Sequence, residues 1–232
     1  MKTYDPDFPL FSLHIPKCGG TSLLGALRKW FWRWRVIEHY RGKDEPLPAT
    51  TKLTRKMVVH GHFNAGNNRG VLDYYPQADQ FVTFLREPFD RYLSLWHFMP
   101  KVAAENRRPG WVERRGGFEH ALRHRARLQR AGRNFESFVW HFPQPPNFVD
   151  IGEQMDRSYV FVGVMERYQE SLDALAAVLG KRRIDVVHLN ATERGSSDYE
   201  KWRPFYRRHF AEEYAIYEAA LRRNDELLKR YL

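Results

Sequence analysis

The chain reads as an α/β protein built on a central, mostly parallel sheet flanked by helices. Three observations carry that reading. Four short runs, 10–15, 57–60, 80–85 and 159–164, are apolar almost throughout instead of alternating, as strands are when both faces are covered. Segments with apolar residues at helical spacing occur at 21–34, 90–99, 135–142, 167–179 and 203–229, so strands and helices alternate along the chain. The first run ends in a glycine turn that opens directly into a helix. In such folds ligands bind beyond the carboxyl ends of the strands.

The first strand, Leu10-Phe11-Ser12-Leu13, continues into His14-Ile15-Pro16-Lys17-Cys18-Gly19-Gly20-Thr21-Ser22 before Leu23, Leu24, Ala26 and Leu27 recur at helical spacing. A turn of this kind directs several backbone N–H groups and the positive end of a helix dipole at one small volume. A phosphate or sulfate fits there, with Lys17 at the turn and Thr21 and Ser22 in the first helical turn. An ordinary βα loop would account for two glycines, but not for a lysine and two hydroxyls around them. The nucleotide-triphosphatase pattern G-x-x-x-x-G-K-[ST] is absent, because the glycines stand between Lys17 and Thr21.

Residues 36–56 read as a Pro-punctuated connection. The run 57–60 then leads into His60-Gly61-His62-Phe63-Asn64, two histidines about one glycine at a strand end. Histidine, with an ordinary pKa of ~6.5, suits a base near neutral pH; a histidine that merely ends the strand is the alternative. The run 80–85 leads into Arg86-Glu87-Pro88-Phe89-Asp90-Arg91-Tyr92-Leu93-Ser94. Pro88 fits a helix start. Arg86 at the strand end and Ser94 about two turns into that helix could face one phosphate, unless Arg86 serves a structural ion pair. Segment 101–134 reads as a basic, mainly helical insertion, and 143–152 as a second Pro-punctuated connection before the last strand and its helix.

Hydrophobic residues make up 43% and aromatics 15% of 232 residues, which excludes a disordered chain and fits a single domain over 1–232. No apolar run approaches the ~20 residues that cross a bilayer. The amino terminus lacks the apolar core of a secretory signal, and the single cysteine, Cys18, excludes an internal disulfide framework. These features lead us to expect a cytoplasmic protein. A net charge of +10 implies anionic partners and leaves peripheral contact with a membrane surface open. Between Arg107 and Arg133 nine arginines stand against Glu113 and Glu119, so the charge is concentrated in one segment. That segment is either a grip for carboxylates or sulfates or simply a solvated face.

The pattern Pro-Lys-x-Gly-Gly-Thr-Ser resembles the 5′-phosphosulfate loop of sulfotransferases that use 3′-phosphoadenosine 5′-phosphosulfate (PAPS). The strand, Arg-x-Pro and later Ser94 resemble the 3′-phosphate element of the same family. His-Gly-His-Phe is similar to the catalytic-base segment of the uronosyl (heparan sulfate) 2-O-sulfotransferases, which act on glycosaminoglycans, and of bacterial carbohydrate sulfotransferases. The resemblance implies a P-loop NTPase-like three-layer fold, PAPS as donor, 3′-phosphoadenosine 5′-phosphate (PAP) as product, and no metal. It assigns the donor to Pro16, Lys17, Cys18, Gly19, Gly20, Thr21, Ser22, Arg86 and Ser94, with Thr192 and Arg194 on a closing loop. It makes His62 the base, Lys17 a catalytic cation and His60 a helper that orients substrate or base. Arg108, Arg114 and Arg115 fall where glycosaminoglycan enzymes bind substrate.

Sulfuryl transfer to an alcohol needs a base, donors for the leaving phosphate and in-line alignment, and these residues could supply all three. The acceptor implied is a carbohydrate or other hydroxylated molecule, which the charge leads us to expect to be anionic. Two departures stand out. The Golgi relatives carry a membrane anchor and disulfides, and Cys18 replaces a common threonine, which suggests sensitivity to thiol reagents. Two other functions compete. A nucleotide-dependent kinase lacks its Gly-Lys-[Ser/Thr] here, and a nucleic-acid-binding module using the arginine-rich face would leave Lys17, Arg86 and His62 without a role.

Overall fold

The computed structural model describes residues 1–40, 53–105, 116–134, 136–185 and 197–232. Five strands form one sheet: β1 (Leu10–Leu13), β2 (Val36–His39), β3 (Val58–Gly61), β4 (Phe81–Leu85) and β5 (Tyr159–Val164). Their order across the sheet is β2-β3-β1-β4-β5, and every pairing is parallel. Strands β1, β3, β4 and β5 are buried along their whole length, which is why their sequences do not alternate.

Helices cover both faces. On one, α1 (Gly20–Trp30) and α6 (Tyr168–Val178) bury Leu23, Leu27, Leu172 and Leu175 against Leu10, Val58, Val82 and Val160. On the other, α5 (Ile151–Ser158) and α8 (Ala211–Tyr231) pack Ile151, Met155 and Ile216 against Phe11, Val59, Phe81 and Val162. The short α2 (Val71–Tyr74) adds Val71 to the same core. A third cluster joins α3 (Pro88–Glu105), α4 (Phe118–Arg130) and α7 (Arg203–His209) through Phe89, Tyr92, Phe118, Leu122 and Tyr206. A buried polar network fixes that cluster to α8. Arg125 donates to Glu136 at 2.7 Å and to Glu213 at 3.3 Å, and the Tyr206 hydroxyl donates to Glu213 at 2.9 Å.

The three-layer parallel α/β architecture is the one the sequence predicts, but several elements differ in detail. Val36–His39 is an edge strand within what reads as a connection; an exposed edge needs no continuous apolar run, and Glu38 faces out. The helix expected at 135–142 is only a 3-10 turn, Phe138–His141, while α5 occupies part of the expected 143–152 connection. The helix starting at 90 begins two residues earlier, with Pro88 first, and passes Pro100 to reach Glu105. The long C-terminal helix breaks at Phe210, which is buried in the third cluster. Segment 101–134 therefore begins as the end of α3 and ends as α4 and its exit.

The strand order sets the site. Passing from β3 to β4 the chain crosses over β1, so the carboxyl ends of β3, β1 and β4 lie side by side. The three sequence elements singled out above all leave the sheet at that edge.

Candidate active site

Strand β1 hands the chain to the Pro16–Ser22 turn under several restraints. The Thr83 hydroxyl donates to the Leu13 carbonyl at 2.8 Å, and the His14 N–H to the Gly61 carbonyl at 2.9 Å. Arg91, on α3 and almost wholly buried, donates from Nε to the Pro16 carbonyl at 3.1 Å and from Nη2 to the Glu136 carbonyl at 2.7 Å. The Tyr168 hydroxyl donates to the Gly19 carbonyl at 3.0 Å. Carbonyls are thus tied down from below.

Within the turn, Lys17 has φ 70° and Gly19 φ 73°, so two nearby residues occupy the left-handed region. For lysine that conformation is strained, a cost that clusters at functional sites. The α1 N-terminus that follows has no side-chain cap and no acidic residue in its first turn. Its donors are the amides that such a turn offers to an anion. The Lys17 ammonium lies 3.8 Å from the centre of the Phe98 ring. A donor set of amides, a lysine and, across the turn, Arg86 fits a phosphate or sulfate ester.

The glycine pair has a second reason. A Cβ on Gly19 would come 2.6 Å from both the Met165 sulfur and the Tyr168 ring, and one on Gly20 1.9 Å from the His14 ring. Only glycines let Tyr168 and His14 pack this tightly beneath the turn. Cys18 is buried, and burial pushes its thiol up to about 12, with Arg91 and Arg86 opposing more weakly. The expected reactivity toward thiol reagents is therefore corrected: the sulfur is inside the core and protonated.

Arg86 directly follows β4, is half-buried and lies close enough to the buried Cys18 thiol to oppose the rise of its pKa, so the β4 exit sits beside the β1 turn. Ser94 is buried on α3. Thr21 is exposed and Ser22 half-buried at the start of α1. Thr192, Arg194, Arg108, Arg114 and Arg115 lie outside the described residues.

At the end of β3 the chain turns so that the His62 N–H donates to the His39 carbonyl at 3.1 Å. Gly61 permits this, since a Cβ there would stand 2.0 Å from that carbonyl oxygen. His62 is exposed, with its ring 4.5 Å from His14 and 4.8 Å from Tyr40. His14 lies nearly parallel to His60 at 5.3 Å and shares a 2.8 Å hydrogen bond from Nδ1 with the Tyr40 hydroxyl. His60 is fully buried, its Nδ1 2.8 Å from the Ser12 hydroxyl. It reaches the exposed edge through the rings of His14 and, at 5.8 Å, Tyr40, both of which pack on His62. His141 donates from Nδ1 to the Phe63 carbonyl at 2.7 Å, below the same turn.

Burial pushes His60 and His141 to about 3 and His14 well below its ordinary value, and packing on His14 and Tyr40 partly desolvates the exposed His62 ring and lowers it in the same direction. Mutual repulsion among protonated rings adds to the effect at His14 and His60. A neutral, exposed imidazole next to an anion cradle can accept a proton from a hydroxyl placed between them. Among the described residues no group of three or more His, Cys, Asp or Glu side chains is placed to hold a metal.

Sequence reasoning assigned no role to His14, His39, Tyr40, His141, Arg91 or Tyr168. His14 and Arg91 stand within the stretches read as motifs, so their neighbourhood was visible. Their partners are set by parallel pairing of distant strands and by α3 folding back over the turn, which no local spacing reveals.

The sequence matches the family model described as "Sulfotransferase family" over residues 2–212. No curated protein matches it.

Proposed function

Because the chain belongs to the sulfotransferase family, we propose that it transfers a sulfuryl group from PAPS to a hydroxyl of a carbohydrate acceptor by in-line displacement, with His62 as the base. The observation that carries this reading is the position of His14, a single ring that packs under Gly20 of the anion cradle and against His62 at 4.5 Å. One side chain thus sets the spacing between the donor cradle and the candidate base.

When bound, the donor supplies an activated sulfuryl group on a phosphate leaving group. Lys17 and the amides of Gly19, Gly20, Thr21 and Ser22 would hold the 5′ end and meet the charge that grows there, as preorganised donors do. Arg86 and Ser94 would hold the 3′-phosphate, and Thr192 and Arg194 the loop side. His62, neutral at physiological pH, would take the acceptor proton. His60, too buried to touch an acceptor, would orient His62 through the His14 ring. The net charge of +10, and Arg108, Arg114 and Arg115 in the basic segment, support an anionic acceptor such as a uronate-bearing saccharide. A cytoplasmic location would give access to the donor.

Calorimetric titration with PAP, against ATP and AMP, tests the donor. Selective PAP binding that is lost in Arg86→Ala supports it, and equal binding of ATP overturns it. His62→Ala should then lower turnover by ~10²–10⁴ with PAP affinity near normal. Full activity in that variant would remove His62 from the role of base.

A further inference from the structure

The end of the molecule opposite this site carries a different surface. Helix α1 starts at the carboxyl edge of the sheet and runs back across it, so Trp32 and Trp34 emerge at the amino edge. Trp30 and Phe31 turn inward and are buried, whereas Trp32 and Trp34 are 71% and 70% exposed. They are the most exposed tryptophans among the described residues. Trp32 holds its outward position at φ 62°, a backbone conformation that costs a bulky residue energy and that glycine would adopt freely.

Cations surround the pair. Lys29 and Arg33 are exposed in the same segment, and the Arg35 guanidinium lies 4.5 Å from the Trp34 ring centre. A second basic strip is fastened alongside: the Trp30 indole N–H donates to the Arg182 carbonyl at 3.0 Å, and the Lys181 ammonium lies 4.6 Å from the Phe31 ring centre. Arg183 continues that strip, and Lys56 is close enough to lower the Lys181 pKa after burial has done so. Several acids stand at this end among the described residues, and a number of them are already paired: Glu38 with Arg28, Asp79 with Lys2, and Asp156 with Arg223 and the terminal ammonium; Asp5, Asp7 and Asp185 stand there too.

We propose that this edge docks the protein on an anionic lipid surface, with Trp32 and Trp34 at headgroup level and the flanking cations on the lipid charges. Protruding indoles ringed by lysine and arginine are the interfacial pattern, in which the ring sits between apolar and wet layers. The charge argues against a second copy of this chain, since two basic faces would repel. Single-stranded nucleic acid stacks its bases on aromatics within a groove that follows its backbone, whereas these indoles protrude with about 70% of their surface exposed. Docked this way, the protein turns the carboxyl edge of its sheet, and the site there, away from the bilayer.

Vesicle co-sedimentation tests the idea, with the full chain and either pure phosphatidylcholine or a 7:3 mixture with phosphatidylglycerol. Binding to the mixed vesicles, weaker at high salt and on the neutral ones, is the expected result. Trp32→Gly with Trp34→Ala should lower the partition coefficient by about tenfold or more. The Trp32→Gly change also relieves the backbone, so the circular-dichroism spectrum and thermal midpoint should hold. Lys29→Gln with Arg33→Gln should cost roughly 25-fold, about fivefold per cation. The proposal fails if the wild type ignores mixed vesicles or if the tryptophan variant binds them as well as the wild type. It fails equally if those tryptophans prove to carry binding of an oligothymidylate or a concentration-dependent dimer instead.

Discussion

The contact between Gly20 and His14 can be tested without reference to any activity. A Cβ at position 20 would meet His14 Cδ2 at 1.9 Å and Nε2 at 2.0 Å, far inside the 3.4 Å at which ordinary contact begins. The ring cannot simply swing aside, because its Nδ1 is bonded to Tyr40 and its faces pack on His60 and His62. Gly20→Ala therefore overpacks a fixed site, at a cost of about 1–3 kcal/mol. For a chain of this size that lowers the thermal midpoint by about 2–12 °C. In a His14→Ala background the obstruction is gone, and the alanine should cost little or gain a few tenths of a kcal/mol from reduced backbone freedom. A double-mutant cycle by urea or thermal unfolding should thus return a coupling of about 1–3 kcal/mol. If Gly20→Ala costs the same in both backgrounds, the packing of His14 under the turn is wrong, and so is the claim that it spaces cradle from base. Turnover of the single variant should fall further than its stability explains, since His62 rests on the displaced ring.

Other consequences follow from burial and charge. His60 and His141 are held neutral down to about pH 3, against ~6.5 when unfolded, so the unfolded chain binds more protons between these values. Stability is then full above pH ~6.5 and lost as pH falls toward 3, by up to about 1.4 kcal/mol per pH unit for each ring. Urea unfolding at pH 7, 5.5 and 4.5 should show His141→Gln flattening that slope by about one proton; an unchanged slope would contradict it. Glu213→Ala leaves Arg125 buried with only the exposed Glu136 for a carboxylate, and should cost about 3 kcal/mol by urea unfolding. A loss below 1 kcal/mol would mean the network contributes little. Because packing on His14 and Tyr40 partly desolvates His62 and lowers its pKa, the acid limb of turnover should lie below the ordinary imidazole value of ~6.5; a limb at 6.5 or above would assign the base elsewhere.

Much of the site's outline is local chemistry and so was legible in the sequence. A glycine turn between a buried strand and a helix can be recognised from Leu10 to Leu27, because strand burial, turn conformation and helix spacing each leave a mark on adjacent residues. The same holds for Arg86 at the end of β4 and the histidines at the end of β3. Edge strand β2 left no such mark, since a half-exposed strand can carry glutamate and histidine. Helix α5 was missed because eight residues next to prolines give too few turns for a clear period.

The sequence by itself determined the parallel sheet, the glycine turn that leads from a buried strand into a helix, and the presence of histidines near it. Only the tertiary structure decided which histidines meet. Parallel pairing of β2, β3 and β1 sets His39, His60 and His14 at one edge, and the crossover of the chain above β1 sets Arg91 and Arg86 on the other side of the turn. Whether a given imidazole is an exposed base or a buried, permanently neutral spacer depends on how much water reaches it. Water access is fixed by contacts between residues far apart in the chain, so no single segment encodes it.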